Sequence, residues 1–252
     1  YGNSPLHYAC KYGRKEVVKQ ITEVAEEHGY LDQLLMSENI AGKTPLHMAA
    51  KAGDVEAASH LVERGAAVNY QDRHGRSPMH LLAACKNLKA TKHFVELLIN
   101  AGASVDSIDG RGDTPLHTAA RTGNNELITY LVENGANIDL ANNDEHTPVH
   151  IASAFGRESS MNVLVNEGAN VEKITSLGNS AIHGTAASGS QTGLALLINK
   201  GLSPETKNND GMTPLHVAAD NDQDIIIDYL AEIGVDLCLP DKLGRTALHI
   251  AS

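Results

Sequence analysis

Histidine is the residue type in this chain best suited to chemistry, and the sequence contains 13 of them. An imidazole can bind a metal ion or transfer a proton near neutral pH. Five histidines form no helix-spaced pair with Cys or another His that would suit zinc: His28, His60, His74, His93 and His146. Nucleophile and phosphate-loop motifs are also missing from the sequence. We therefore predict no enzyme, no catalytic residue, no cofactor and no metal site.

The other eight histidines share one sequence context. Each closes a Thr-Pro-Leu-His tetrapeptide, intact or lightly altered, at Ser4–His7, Thr44–His47, Ser77–His80, Thr114–His117, Thr147–His150, Ser180–His183, Thr213–His216 and Thr246–His249. Five of the seven gaps between these histidines are 33 residues, and the other two are 40 and 37. A repeat of this length predicts an array of one small unit.

The boundaries of the units follow from this period. We predict a single array over 1–252, with about eight units at approximately 1–40, 41–73, 74–110, 111–143, 144–176, 177–209, 210–242 and an incomplete 243–252. The chain starts without Met and stops inside a predicted helix, and neither end shows a polar cap. We therefore expect it to be an excerpt of a longer chain.

Each tetrapeptide has the composition of a helix start. Thr or Ser can cap the helix through its hydroxyl, and Pro suits the first helical position. Small residues follow, as in Met48-Ala49-Ala50, and favour a short, closely packed helix. A second apolar helix comes after a Gly such as Gly53, and a turn rich in Asp, Asn and Gly then leads to the next copy. Each unit is thus predicted to be helix, turn, helix and loop.

Together these features resemble the ankyrin repeat. The second half of the pattern is a Gly-Ala stretch about 20 residues after the tetrapeptide, as in Gly65–Asn69 and Gly135–Asp139. The resemblance covers essentially the whole chain. It implies an all-α fold, an ankyrin-repeat solenoid of stacked helix-turn-helix units with projecting β-hairpin-like finger loops. The fingers and first helices would form a concave surface that binds another protein.

The resemblance also implies a structural role for the recurring histidines, with each ring hydrogen-bonded within its turn and to the neighbouring unit. These ladder histidines are His7, His47, His80, His117, His150, His183, His216 and His249. Because each lies in the first turn of a helix, we expect the helix dipole to lower its pKa.

Departures from the pattern fall at two longer units and a few single positions. The first unit is seven residues longer and carries Glu23–Leu35 in place of the usual turn, which predicts an extended second helix or loop. The third is four residues longer across Cys85–His93. Both insertions are either private contact surfaces or tolerated drift. Glu145 and Asp222 stand where Gly is expected, and Gly184-Thr185 weakens a predicted first helix.

Composition limits the partners and the compartment. The net charge of −11 disfavours nucleic acid. No apolar stretch approaches the length of a membrane-spanning helix, so we expect no membrane insertion by this segment. Three Cys residues far apart in sequence favour a reducing environment, and we expect a cytoplasmic or nuclear protein or the cytoplasmic part of a membrane protein.

A cluster of basic residues in the second to fourth units marks a candidate binding surface. The cations there are Lys43, Lys51, Arg73, Arg76, Arg111 and Arg121, with His74 beside them and Tyr70, Leu81 and Ile108 as apolar anchors. This surface would suit a protein or peptide partner with acidic character. An ordinary solvated surface of mixed charge is the alternative.

Two functions remain open from the sequence. The first is a protein-protein interaction module, a scaffold or adaptor, that binds a partner protein or peptide through the concave surface. The second is the cytoplasmic ankyrin-repeat domain of a cation channel or the regulatory array of a larger enzyme. Neither assigns catalysis to this segment.

Overall fold

The computed structural model describes residues 2–85 and 91–252, and within them it contains helices and loops but no strand. The helices, in chain order, are α1 (Pro5–Lys11), α2 (Lys15–Glu27), α3 (Leu31–Leu35), α4 (Pro45–Ala52), α5 (Val55–Glu63), α6 (Pro78–Ala83), α7 (Thr91–Asn100), α8 (Pro115–Thr122), α9 (Asn125–Glu133), α10 (Pro148–Ala154), α11 (Glu158–Asn166), α12 (Ala181–Ser188), α13 (Gln191–Asn199), α14 (Pro214–Asp220), α15 (Asp224–Glu232) and α16 (Ala247–Ile250). The predicted all-α class is confirmed.

Every first helix begins at the tetrapeptide, as predicted. The Thr or Ser before it has extended backbone angles, such as φ −85° and ψ 169° at Thr44. The hydroxyl accepts from the main-chain N–H of the histidine, and the imidazole accepts from the N–H of the capping residue. This reciprocal pair replaces the usual capping box, with His in the place of Glu or Gln. One tetrapeptide thereby starts the helix and orients the ring.

The core consists of two rows of apolar side chains, one on each helix of the repeat. Every second helix after α2 contributes a fully buried leucine: Leu61, Leu98, Leu131, Leu164, Leu197 and Leu230. First helices contribute Leu6, Leu46, Met79, Leu116, Val149, Ile182 and Leu215, at 0 to 4% exposure. Burying one side chain of this size contributes about 1.5 to 3 kcal/mol. Stacking of successive units therefore supplies the core that a single pair of helices lacks.

The chain forms two compact units of packed helices. The first comprises Tyr1–Ala119 and Thr129–Asn137, and the second comprises Ala120–Ile128 and Ile138–Ser252. Within the first unit α1 packs on α4 and α4 on α6, while α2 packs on α5 and α5 on α7. Within the second unit α10, α12, α14 and α16 form one such row, and α11, α13 and α15 form the other. First helices thus pack on first helices, and second helices on second helices.

Seven five-residue turns form the finger loops. They are Asn39–Lys43, Asp72–Arg76, Asp109–Asp113, Asn142–His146, Thr175–Asn179, Asn208–Met212 and Asp241–Arg245. One main-chain bond closes each turn, as from Asp72 N to Arg76 O at 2.9 Å. In six fingers the first residue also accepts two main-chain N–H groups through its Asn or Asp side chain. The predicted fingers are therefore side-chain-stabilised turns.

Neighbouring fingers within a compact unit lie in direct contact. Arg73 N donates to Ala41 O at 3.1 Å, and Gly110 N donates to His74 O at 2.8 Å. A Cβ at Gly75 would stand 2.7 Å from the nitrogen of Gly110. Gly is required at this fourth position of the turn because its φ is +76° and because the next finger leaves no space.

The insertion in the first unit extends its second helix, as predicted. Helix α2 has 13 residues, whereas the later second helices have 9 or 10, and the short helix α3 follows it. The insertion predicted across Cys85–His93 lies partly outside the described residues, which exclude 86–90. None of the helices in the described part of the chain combines the length and the apolar character needed to cross a bilayer.

Glu145 and Asp222 both occupy left-handed backbone conformations. Their φ angles are +60° and +52°. Glu145 holds the fourth position of its turn, where the other six fingers have Gly. Between this finger and the next, the Ser176 hydroxyl donates to Asp144 O at 3.2 Å. The left-handed backbone conformation at these two positions explains why the repeat pattern predicts Gly there.

Replacing Glu145 with Gly is expected to raise the free energy of unfolding by about 0.5 to 1 kcal/mol. A non-Gly residue at positive φ costs about 1 to 2 kcal/mol, and the greater freedom of Gly in the unfolded chain removes part of that gain. Urea denaturation of the two proteins measures the difference. Glu145→Ala is the control, since it removes the carboxylate and keeps the Cβ; equal stabilisation by Ala would contradict the backbone explanation.

Candidate partner-binding surface

Six ladder histidines use both ring nitrogens in hydrogen bonds: His7, His47, His80, His150, His183 and His216. The Nδ1 atom of His47 accepts from Thr44 N at 3.1 Å, and its Nε2 atom donates to Arg76 O at 2.9 Å. His80 donates in the same way to Asp113 O at 2.9 Å, and His183 to Met212 O at 3.2 Å. The rings of His47, His80 and His183 each join the start of their own helix to the finger that follows.

This geometry requires a neutral imidazole. Because Nδ1 accepts from a main-chain N–H, the proton must lie on Nε2. Burial lowers the pKa of five ladder histidines, and for His47 and His150 to about 4: the five are His7, His47, His80, His150 and His183. The direction agrees with the sequence expectation, but its main cause is desolvation rather than the helix dipole. Within the described residues, no three His, Cys, Asp or Glu side chains are grouped so as to hold a metal ion.

Three of the predicted cations lie close together in the first compact unit. Lys43 is half-buried, and Lys51 is exposed at the end of α4. Desolvation lowers the pKa of Lys43, and the positive charges of Arg76 and Lys51 lower it further. The structure thus concentrates positive charge here, although the chain as a whole is acidic. We call Lys43, Lys51, Arg73, His74 and Arg111 the basic finger surface.

Arg76 differs from the other cations because it has a partner within its own finger. Its guanidinium lies 2.8 Å from the Asp72 carboxylate, whose side chain is fully buried. Burial opposes ionisation of Asp72, but the hydrogen bonds from Arg76 and from the main-chain N–H of His74 outweigh it and lower the pKa of the carboxyl. Arg76 therefore stabilises the finger and is a poor contact for an acidic partner.

Arg73, His74 and Arg111 are exposed on the second and third fingers. The stem of Arg73 crosses the neighbouring finger, since a Cβ at Gly42 would be 2.8 Å from its Cγ. Stacking of the fingers thus holds these side chains at adjacent positions.

The three predicted apolar anchors have different surroundings. Leu81 is only 4% exposed, so its prediction as an anchor is wrong: the side chain belongs to the core of α6. Ile108 is 52% exposed and remains available. Tyr70 is half-buried, donates its hydroxyl to Glu38 and meets the His47 ring edge-on at 6.5 Å.

Arg121 belongs to the second compact unit. Its guanidinium lies over the Phe155 ring, 5.5 Å from the centroid, and its carbonyl accepts from Arg157 Nε at 3.0 Å. The side chain thus packs on an aromatic face within that unit.

One exposed feature was missed by the sequence reasoning. Tyr8 and Tyr12 stack with their planes 5° apart and their centroids 6.3 Å apart. Lys11 Nζ lies 4.8 Å from the centroid of Tyr12. Tyr8 follows its ladder histidine as Met48 follows His47, and because Met48 is buried, the repeat register gave no sign that Tyr8 would be exposed.

The family assignment agrees with this architecture. The family described as ankyrin repeats (3 copies) matches residues 24–93, 81–175 and 182–252, and a single ankyrin repeat matches residues 1–29. The chain belongs to the ankyrin-repeat family. It is an ankyrin-repeat solenoid, and as such a protein-interaction module.

Three similar proteins differ widely in their full length. The human transient receptor potential cation channel subfamily A member 1 is 41% identical over 132 residues, which are 52% of this chain and 12% of the channel. Human diacylglycerol kinase iota is 30% identical over 128 residues, 51% of this chain and 8% of the kinase. A crystal structure of the ankyrin repeat domain of Bcl-3, a member of the IkappaB protein family, superposes with a TM-score of 0.71 at 28% identity, covering 91% of this chain and 99% of that domain.

Proposed function

We propose that this array binds an acidic segment of a partner protein through the basic finger surface. The observation that carries the proposal is the proximity of Lys43 to Lys51: desolvation is the main cause of the lowered pKa of Lys43, and the charge of Lys51 lowers it further. Arg73 and Arg111 extend the positive charge onto two adjacent fingers. Carboxylates of a partner would form charge-assisted hydrogen bonds there, with Ile108 as an apolar contact.

The net charge of −11 supports a protein rather than a nucleic acid as the partner, because the acidic remainder of the array would repel a long phosphate backbone, whereas a short acidic segment contacts the basic finger surface alone. Three cysteines far apart in sequence support a reducing compartment such as the cytoplasm or nucleus: Cys10 and Cys85 are buried, and Cys238 is exposed. Burial raises the pKa of Cys10 to about 12, so its thiol is unreactive.

A second candidate function is a regulatory array within a larger protein. The match to a segment of a cation channel favours a cytoplasmic channel domain, and the match to a kinase favours an array attached to an enzyme. In either setting these repeats would bind another protein or another part of the same chain. The complete reading frame would decide between them, since a channel requires spanning segments and a kinase its catalytic domain.

Charge reversal tests the proposed surface. We expect Arg73→Glu combined with Arg111→Glu to weaken binding of a poly-glutamate peptide by about tenfold, because two attractive charges become repulsive. Arg76 is left unchanged, since a glutamate there would face buried Asp72. Fluorescence anisotropy with a labelled peptide gives the affinity, and thermal melting confirms that the fold is kept.

The matched control is Arg14→Glu combined with Lys200→Glu, which makes the same charge change at two exposed positions outside the surface. Binding should fall less than about twofold in this variant. An equal loss in the two double variants would show attraction to overall charge only and would refute a site at the fingers.

A further inference from the structure

The finger tips of the second compact unit alternate between acidic and apolar residues. The third residue of each turn is Asp144, Leu177, Asp210 and Leu243 in successive fingers, 33 residues apart. Leu177 and Leu243 are 61% and 77% exposed, and both aspartates are exposed. We call these four residues the acidic-apolar finger row. In the first compact unit the corresponding tips are Ala41, His74 and Arg111.

Contacts between the fingers hold this row in register. Ser176 Oγ donates to Asp144 O at 3.2 Å, Asn209 N donates to Leu177 O at 3.0 Å, and Lys242 N donates to Asp210 O at 2.9 Å. Each of the first three tips is thereby bonded to the following finger through its own carbonyl. The four side chains lie on consecutive turns that are bonded to one another. These bonds fix the relative positions of the side chains.

A pocket lies between the first two fingers of the row and the first helices α10, α12 and α14. Its volume is about 160 Å³, and its lining includes His146, Asn179, His183, Gly184 and Val217. A cavity of roughly 150 Å³ can hold one benzene-sized group. The pocket is thus large enough for a single apolar side chain of a bound segment.

Gly184 helps to shape this pocket. It follows its ladder histidine, at a position where the other units carry a larger side chain, such as Ile151 or Val217. A Cβ at Gly184 would lie 3.0 Å from Ser153 Cβ and 3.1 Å from Ala154 N. Helix α12 therefore packs closely on α10 because Gly is present, and no side chain projects from this position into the pocket.

The charge of the second unit complements a basic partner. This unit carries 16 Asp or Glu against seven Lys or Arg. Packed helices lie about 8 to 10 Å apart, so successive tips are separated by a similar distance. A segment in the polyproline II conformation rises about 3.1 Å per residue with three residues per turn, so every third side chain lies on the same face and about three residues span one finger.

We propose that the acidic-apolar finger row binds an extended protein segment in which basic and apolar side chains alternate at every third residue. The basic side chains pair with Asp144 and Asp210, and the apolar ones contact Leu177 and Leu243, with one apolar side chain entering the pocket. The site is separate in residues and in partner charge from the basic finger surface. It shares with the proposed function only the premise that these fingers bind protein.

The test uses an 18-residue peptide made of three copies of Lys-Ser-Ser-Leu-Ser-Ser, which allows either chain direction and more than one register. Its control is a peptide of the same composition with the lysines adjacent and the leucines adjacent. Both are titrated into the complete 252-residue chain. We expect the alternating peptide to bind about tenfold more tightly, and its affinity to fall as salt screens the charges.

Two double variants locate the binding. Asp144→Lys with Asp210→Lys, and Leu177→Ser with Leu243→Ser, should each weaken the alternating peptide by about tenfold. The matched controls are Asp228→Lys with Glu232→Lys and the single change Ile225→Ser, all at exposed positions of α15. These should change the affinity by less than about twofold, and melting curves should show that every variant remains folded.

Three results would overturn the proposal: equal binding of the two peptides, unchanged binding in both finger-row variants, or equal losses in the α15 controls. The poly-glutamate peptide distinguishes failure of the finger-row proposal from failure of the proposed function. If it still binds the basic finger surface while the alternating peptide fails, only the finger-row site is refuted.

Discussion

Replacing Leu131 with alanine is expected to lower the free energy of unfolding by about 2 to 5 kcal/mol. Leu131 is completely buried in α9 and belongs to the leucine row of the second helices. Alanine removes apolar contacts and leaves a cavity that closely packed neighbours fill only in part. Urea denaturation followed by circular dichroism gives the change in stability.

Leu177→Ala is the matched control, because it makes the same substitution at a finger tip that is 61% exposed. Its effect should stay within about 0.5 kcal/mol. A similar loss in the two variants would contradict the assignment of the core to the helix rows. In a stacked array the Leu131→Ala change should also reduce partner binding, but only in proportion to the unfolded fraction.

Stability is expected to fall steeply as the pH drops from 6.5 towards 4. Burial lowers the folded-state pKa of His47 and His150 from 6.5 to about 4. The unfolded chain therefore binds these protons more readily than the folded chain, and protonation favours unfolding. The stabilisation is complete above pH 6.5 and is lost as the pH falls through the folded pKa. Each of these two histidines then contributes a loss of about 3 kcal/mol.

The measurement is the denaturation midpoint in urea between pH 7.5 and 4.5. His47→Gln combined with His150→Gln is the informative variant, since an amide can donate and accept hydrogen bonds but does not titrate in this range. Its stability should depend less on pH, by up to about 1.4 kcal/mol per pH unit for each histidine removed. A wild-type midpoint that is constant over this range would refute the neutral, buried state of the ladder rings.

The candidate surface was only partly predictable from the sequence. The repeat register correctly placed Arg73 and Arg111 on exposed fingers, because a 33-residue period assigns each residue to a position in the unit. The register could not show that Arg76 forms an ion pair with Asp72 or that Leu81 is buried. Register fixes the place of a residue in its own unit, whereas burial and pairing depend on the side chains of the neighbouring units.

The sequence by itself determined the repeat, the helix starts and the core rows of this protein. These are local properties: a capping residue, a proline and a periodic leucine act within one unit, and each copy repeats the same signal. The tertiary structure decided which charges remain available to a partner and why the ladder pKa values are low. Desolvation lowers the pKa of His47, and only packing of the next finger on its ring removes the water. The same packing places neighbouring fingers of each compact unit side by side, so that tips far apart in sequence become neighbours on the surface of that unit.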